Sequence, residues 1–168
     1  MKRLLFLIVL GGLAALSITA TARTADMQMG AGTQANNGGH FAYGHPGPGS
    51  GPIHVIHIRA LDTLRFEPAR IMVERGETVK FVVTNAGKLA HEFVIGDVAA
   101  QAAHEKEMQS TRGMPMHDVN DISLPPGQTR DLVWTFTHDG TVEYACHEPG
   151  HFAAGMVGKI IIRSPARH

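Results

Sequence analysis

The stretch of sequence that decides the fold covers residues 141–156 and reads TVEYACHEPGHFAAGM. Its first six residues have the β-branched and aromatic composition of a strand, and a Pro-Gly pair then supplies a turn. This turn brings His151 back beside Cys146, and Met156 precedes a second β-rich segment. A thiolate, an imidazole and a thioether are therefore expected to converge where one strand ends and the next begins.

These three side chains indicate copper. Soft sulfur ligands together with imidazole favour copper over magnesium or calcium. A trigonal set of two His and one Cys with a long axial Met is the arrangement of blue-copper electron-transfer sites. The stretch supplies one of the two His, so the other must come from elsewhere. His91 is the best candidate, because it begins a β-rich segment just after a turn at residues 85–88.

Outward from this stretch, β-rich segments alternate with turns. Predicted strands cover Ile53 to Ile58, Ile71 to Val73, Val79 to Thr84, His91 to Ile95, Arg130 to Phe136, Thr141 to Cys146, and Val157 to Arg163. The segment from Asp97 to Gln109 is rich in Ala, Gln and Glu, which predicts a short inserted helix with Asp97 as its cap. Seven or so short strands separated by turns favour an antiparallel β-sandwich.

From about Phe66 to Arg163 the chain resembles a cupredoxin, the family of plastocyanin, pseudoazurin and plantacyanin. The resemblance is carried by FEP at 66–68, IMVERGETV at 71–79, NAGKLAH at 85–91 and GMVGK at 155–159. It implies an all-β, Greek-key cupredoxin sandwich with a short helical insertion between the ligand-bearing strands. It also implies copper, cycling between Cu(I) and Cu(II), on the ligands His91, Cys146, His151 and Met156. In the family, the second His of the Cys loop exposes a ring edge for electron transfer, which here is His151.

Two positions depart from the family pattern. Four residues separate Cys146 from His151, where plastocyanin has two, so the ligand loop is closer to that of plantacyanin. Glu92 follows His91, where many members carry an Asn that braces the Cys loop. Because residues around the ligands tune the metal, the sequence leaves the reduction potential and the colour of the site open.

Other interpretations of these residues exist. A lone Cys at a strand end is usually a small buried hydrophobe, and a Met before a Val-rich strand usually packs in the core. The joint spacing of Cys146, His151 and Met156 argues against both. Zinc also accepts Cys and His, but the thioether disfavours zinc. A catalytic Cys-His pair would need an orienting third group, and none is evident.

A second group of His and Met falls in the insertion. An accessory copper site or a contact with a copper donor is predicted from His104, Met108, Met114, Met116 and His117. His104 and Met108 are four residues apart and therefore share a helix face. The alternative is that Met108 packs the helix on the sandwich while the His side chains are solvated. His147 should point away from Cys146 and has no assigned role.

Composition and the N-terminal sequence indicate the number of domains, the classes of partner and the location of the protein. The chain has 168 residues, 43% of them hydrophobic, which suits one compact domain. A formal net charge of +0 gives no support for a nucleic-acid partner, and one Cys cannot form an internal disulfide. Residues 1–22 have the charged, apolar and A-x-A parts of a cleaved signal peptide, with an apolar run too short for an anchor. Residues 23–52 are predicted as a flexible tail containing Met, His and Gly, and 53–168 as the cupredoxin domain.

These features predict an exported, periplasmic type 1 copper protein acting in copper tolerance or handling. The main alternative is an electron shuttle between respiratory redox proteins. A cuprous oxidase that uses an accessory copper is a third hypothesis, whereas the lack of an H-x-H motif argues against a multicopper oxidase. The expected partner is a redox protein or a copper donor or acceptor, with no membrane anchor after signal cleavage. The oligomeric state is left open.

Overall fold

The fold is taken from a computed structural model, which describes residues 41–48, 51–111 and 118–166. Within these ranges the chain forms strands and one helix in the order β1 (Gly44–Pro46), β2 (Ile53–Leu61), β3 (Arg65–Glu67), β4 (Arg70–Glu74), β5 (Thr78–Asn85), β6 (His91–Gly96), α1 (Val98–Thr111), β7 (Asp121–Leu124), β8 (Thr129–Phe136), β9 (Gly140–Ala145) and β10 (Val157–Arg163). The predicted all-β sandwich with one helical insertion is confirmed.

The strands form two sheets, with the orders β1-β8-β5-β2-β3 and β4-β10-β9-β6-β7. Most neighbours are antiparallel, but β2 pairs with β5 in parallel, and β4 pairs with β10 in parallel. The sheets are therefore mixed rather than purely antiparallel as predicted. The reason lies in the connections. After β2 and β3 the chain crosses to the other sheet to form β4, and it then returns to the first sheet to form β5 beside β2. Such a crossover connection allows parallel pairing.

Aromatic side chains from both sheets fill the space between them. Phe93 of β6 lies 5.6 Å from Phe81 and 5.9 Å from Phe66, both of the opposite sheet, measured between ring centroids. The Tyr144 ring lies 5.2 Å from that of Phe93, and all four side chains are fully buried. Offset and edge-to-face ring pairs add about 0.5–1.5 kcal/mol each beyond burial. The scaffold beneath the Cys146 end of β9 is therefore tightly packed.

Helix α1 covers the outer face of the sheet beside the predicted ligands. Its cap is Asp97, whose Oδ1 accepts the Ala100 N–H at 2.8 Å, as the sequence predicts. The Gln101 amide donates to the backbone oxygens of Val94 and Glu143, which ties the helix to β6 and β9. Every residue of β6 is consequently buried. Within the described ranges, no helix is long and apolar enough to cross a membrane.

The structure also contains three strands that the sequence pattern did not reveal, namely β1, β3 and β7. β1 lies in the segment assigned to the flexible tail. In the structure, Tyr43 is 5% exposed, stacks on Trp134 and donates its hydroxyl to the Ile95 oxygen at 2.9 Å. Residues 41–48 therefore pack on the sandwich. The earlier part of the predicted tail, residues 23–40, lies outside the described ranges.

Candidate metal centre

Neighbouring strands bring the predicted ligands to one end of the sandwich. β6 begins at His91 and pairs antiparallel with β9, with Val94 opposite Ala145. Cys146 follows β9 directly, so its side chain lies beside the start of β6. The loop from β9 to β10 then carries His151 and Met156. A local sequence pattern and one strand pairing together assemble the set.

The donor atoms face one another across a space that suits one ion. Cys146 Sγ lies 3.9 Å from His91 Nδ1 and 3.3 Å from His151 Nδ1. The three atoms all lie within 4.8 Å of one another. Ligand atoms at about 2.0–2.3 Å from one metal ion in a trigonal plane are about 3.5–4 Å apart. The spacing and the donor types therefore fit a copper ion held by two imidazoles and a thiolate.

Met156 closes the ligand loop and is fully buried. Its backbone N–H donates to the His151 oxygen at 3.0 Å, and its own oxygen accepts the Cys146 N–H at 3.2 Å. The turn in between needs Gly150, whose φ of +84° is unfavourable for other residues. These bonds fix the positions of the two residues relative to Cys146 without any metal.

The turn before His91 is held by the side chain of Asp62. Asp62 accepts the backbone N–H groups of Lys88 and Leu89 at 2.8–3.1 Å, and its Oδ1 lies 3.6 Å from His91 Nε2. The carboxylate approaches so closely that a Cβ on Gly87 would lie 1.8 Å from it. The 3.6 Å separation of Asp62 from His91 Nε2 is beyond hydrogen-bond distance, but a carboxylate that faces the outer ring nitrogen favours the ring orientation in which His91 Nδ1 is directed at the sulfur.

Burial and hydrogen bonding control the ionisation of these groups. Burial raises the pKa of the Cys146 thiol to about 12, so the metal-free protein holds a neutral thiol. Burial, followed by the nearby His151, lowers the pKa of His91 and keeps its ring neutral. Hydrogen bonds from the Lys88 and Leu89 N–H groups lower the pKa of Asp62. A metal ion must therefore displace the thiol proton, whereas the His91 ring is already in its ligating form.

Only part of the predicted accessory group falls in the described ranges. Met114, Met116 and His117 lie outside them. Met108 lies on α1 and is 7% exposed. His104 is directed at Glu92, with 3.5 Å between Nε2 and Oε2. The accessory site thus stays a prediction.

His147 is a residue whose role the sequence did not reveal. It is 2% exposed, and its Nε2 lies 2.7 Å from the Gln101 side-chain oxygen, while its Nδ1 lies 2.9 Å from a Glu105 oxygen. Its ring also stacks on Phe152. His147 does point away from Cys146, as expected, but it packs against α1 and links the helix to the ligand loop. Strand alternation could have indicated the direction, although not the helix that covers it.

Comparison with known proteins places this site in a family. Residues 54–163 match the family of copper binding proteins described as plastocyanin/azurin. The chain therefore belongs to the plastocyanin/azurin family of copper-binding proteins, and copper is its cofactor. The His, Cys, His and Met cluster fits a type 1 copper site, as the resemblance implied.

Relatives within the family are more specific. The chain is 44% identical over 121 residues to the copper-resistant cuproprotein CopI of Rubrivivax gelatinosus, covering 72% of this chain and 73% of that one. It is 34% identical to the CopI of Pseudomonas aeruginosa, covering 80% and 90%. The CopI of Vibrio cholerae is 39% identical, with 70% of each chain covered.

Solved structures agree on the fold. The dithionite-reduced auracyanin of Roseiflexus castenholzii superposes with a TM-score of 0.60 at 24% identity, covering 68% of this chain and 100% of that one. Auracyanin A of Chloroflexus aurantiacus gives 0.55 at 22% identity, covering 66% and 99%. At this identity, the likeness supports the cupredoxin fold alone.

Proposed function

We propose that this protein is a type 1 copper protein that acts in copper tolerance. The residues that would hold the copper are His91 and His151 through their Nδ1 atoms and Cys146 as its thiolate, with the Met156 thioether as a weaker ligand. The observation that carries the proposal is the convergence of the two Nδ1 atoms on Cys146 Sγ at 3.9 and 3.3 Å. Copper, when bound, supplies a one-electron Cu(I)/Cu(II) couple.

The protein supplies a rigid and selective environment for that couple. The hydrogen bonds that close the loop through Met156 and those from Asp62 to the turn before His91 hold the donors in place. Because the donors are fixed before metal arrives, the site needs little rearrangement between oxidation states. His151 is half-buried, whereas Cys146 and Met156 are fully buried. Its ring edge is therefore the proposed route for electrons.

Copper tolerance is favoured over respiratory electron carriage by the relatives. All three CopI proteins above carry the description copper-resistant. The alignments cover 73% of the Rubrivivax gelatinosus protein and 90% of the Pseudomonas aeruginosa protein. The proposed location is the periplasm, reached through cleavage after Ala22. The proposed partner is a redox protein or a copper donor or acceptor.

The ligand assignment is tested by copper content and colour. Wild-type protein should bind copper with an intense thiolate-to-copper absorption, and Cys146→Ser should lose that absorption. His57→Gln is the matched control, because His57 is an exposed His on β2. A colourless Cu(II) form of the wild type, or a colour that survives Cys146→Ser, would contradict the assignment.

The cellular role is tested in a host that lacks its own copper-tolerance cupredoxin. Wild-type protein should restore growth at high copper, whereas Cys146→Ser should not. Cell fractionation and N-terminal sequencing should find the protein in the periplasm beginning at Arg23. Full colour without any protection would instead favour the electron-shuttle role.

A further inference from the structure

A second group of metal-binding side chains lies beneath helix α1. Glu92 comes from β6, His104 from α1 and Asp121 from the first position of β7. One ligand atom from each lies within 4.8 Å of the other two, and His104 Nε2 is 3.5 Å from Glu92 Oε2. Three elements that are distant in sequence thus direct two carboxylates and an imidazole into one space.

These atoms are buried and lack hydrogen-bond partners. Glu92 is 3% exposed and Asp121 is 6% exposed, and the His104 side chain is 10% exposed. Among the described residues, Glu92 Oε2, His104 Nε2 and both Asp121 carboxylate oxygens make no hydrogen bond. Leaving a buried polar group unpaired costs about 1–3 kcal/mol, and more if it is charged. Several such atoms directed at one another therefore favour a bound ligand in this space.

The charges of the cluster suit a cation, which would take the place of the proton that Asp121 holds in the metal-free protein. Two carboxylates share the space, and a single protonated imidazole would balance only one of them. Repulsion from Glu92 adds to burial in raising the pKa of Asp121, and Glu92 raises the pKa of His104. Among the described residues, the ring packed edge-on against His104 is that of His147, whose pKa is lowered by burial, so this neighbour adds no positive charge.

We propose that Glu92, His104 and Asp121 form a second metal site, for a borderline divalent transition-metal ion such as Cu²⁺ or Zn²⁺. Imidazole suits both ions, and two carboxylates balance the divalent charge. The site contains no sulfur, which distinguishes it from the type 1 centre and from the methionine-containing accessory site. Only His104 is shared with that earlier prediction. The type 1 assignment does not depend on this second site.

The two sites meet at one residue. The backbone N–H of Glu92 lies 3.3 Å from Cys146 Sγ, while its side chain lies in the second cluster. His104 also contacts His147, which stacks on the ligand loop at Phe152. An ion in the second site would therefore be held by the same backbone that supports the thiolate.

The test uses the full mature chain with copper already in the type 1 site. Zn²⁺ is the probe, and its binding is measured by calorimetry together with metal analysis. Glu92→Gln and Asp121→Asn should each weaken the tightest Zn²⁺ binding by about tenfold or more. Asp118→Asn is the matched control, since Asp118 is an exposed carboxylate three residues before Asp121. The control should bind Zn²⁺ as the wild type does, and retained type 1 colour shows that each variant is folded.

A measurement on unaltered protein covers the case in which a variant fails to fold. The X-ray absorption of bound Zn²⁺ should show nitrogen and oxygen neighbours with imidazole and no sulfur. Met114→Leu with Met116→Leu should leave the Zn²⁺ affinity unchanged. Equal affinity in wild type, Glu92→Gln and Asp121→Asn would overturn the proposal, as would sulfur beside the zinc.

A final arm distinguishes the two ions. Cu²⁺ added beyond the first equivalent should displace the bound Zn²⁺ without adding to the thiolate absorption, because nitrogen and oxygen ligands lack that transition. Such displacement would assign the site to copper, in line with the greater affinity of Cu²⁺ for such ligands. Retention of Zn²⁺ under excess Cu²⁺ would assign it to zinc.

Discussion

The backbone N–H of Glu92 points at the sulfur of Cys146 across 3.3 Å, although the two residues are 54 positions apart in the chain. This contact follows from the pairing of β6 with β9, which also places His91 beside the same sulfur. A hydrogen bond to a thiolate stabilises its charged form. The strand pairing therefore supplies both a proposed copper ligand and a group that stabilises the deprotonated sulfur.

Removal of copper should destabilise the protein. Metal that binds only the folded state adds its binding free energy to folding, which amounts to about 3–4 kcal/mol at 100–1,000 times the dissociation constant. Chelated protein should accordingly unfold at lower denaturant concentration than copper-loaded protein. Cys146→Ser is the control, because without the thiolate its unfolding should respond to copper less than that of the wild type does. Equal midpoints for loaded and chelated wild type would contradict binding at a site formed by folding.

Met156→Leu should keep copper and raise the reduction potential. The thioether is proposed as a weak axial donor, and its removal disfavours Cu(II) relative to Cu(I). Leu preserves the buried apolar volume at this position, so the fold should change little. Met72→Leu is the control, since Met72 is 62% exposed on β4. Complete loss of copper from Met156→Leu would show that Met156 is more than an axial ligand.

Asp62→Asn should weaken copper binding without removing any ligand. The change leaves a single side-chain oxygen for the Lys88 and Leu89 N–H groups and removes the charge that faces His91 Nε2. Loss of such an orienting partner typically lowers metal affinity about tenfold or more. Competition with a copper chelator measures the effect, with the exposed Asp131→Asn, whose carboxylate pairs with Lys80, as the control. Unchanged affinity would mean that His91 is oriented by packing alone.

The sequence predicts the type 1 site well because most of its information is local. Cys146, His151 and Met156 lie within eleven residues of one another, and the Pro-Gly turn between them is visible in the sequence. His91, the remaining ligand, was predicted because it begins a β-rich segment directly after a turn. Helix α1 was equally predictable, since its cap at Asp97 and its Ala-rich composition are local features.

Features that depend on how elements pack could not be predicted in this way. β7 is only four residues long, and Asp121 at its start gives no local sign that it faces Glu92 from another strand. The same holds for His147, whose burial depends on α1 covering the outer face of the sheet. Tyr43 lies in a Gly- and Pro-rich region, where composition suggested a flexible chain, yet it packs on Trp134.

The buried carboxyl of Asp121 should make stability depend on pH in the metal-free protein. Burial, then repulsion from Glu92, raises its pKa to about 8 from an ordinary value of 3.8. Between these two pH values the folded state holds the proton more often than the unfolded state does, so the free energy of unfolding falls as pH rises.

Asp121→Asn removes the ionisation and should therefore flatten this slope. Between about pH 5 and about pH 9, the free energy of unfolding of the variant should rise relative to that of the wild type by roughly 1 kcal/mol or more. Denaturant unfolding at the two pH values measures the difference, and Asp131→Asn, which alters an exposed carboxylate on β8, should keep the wild-type slope. A slope in Asp121→Asn as steep as that of the wild type would mean that another group carries the pH dependence.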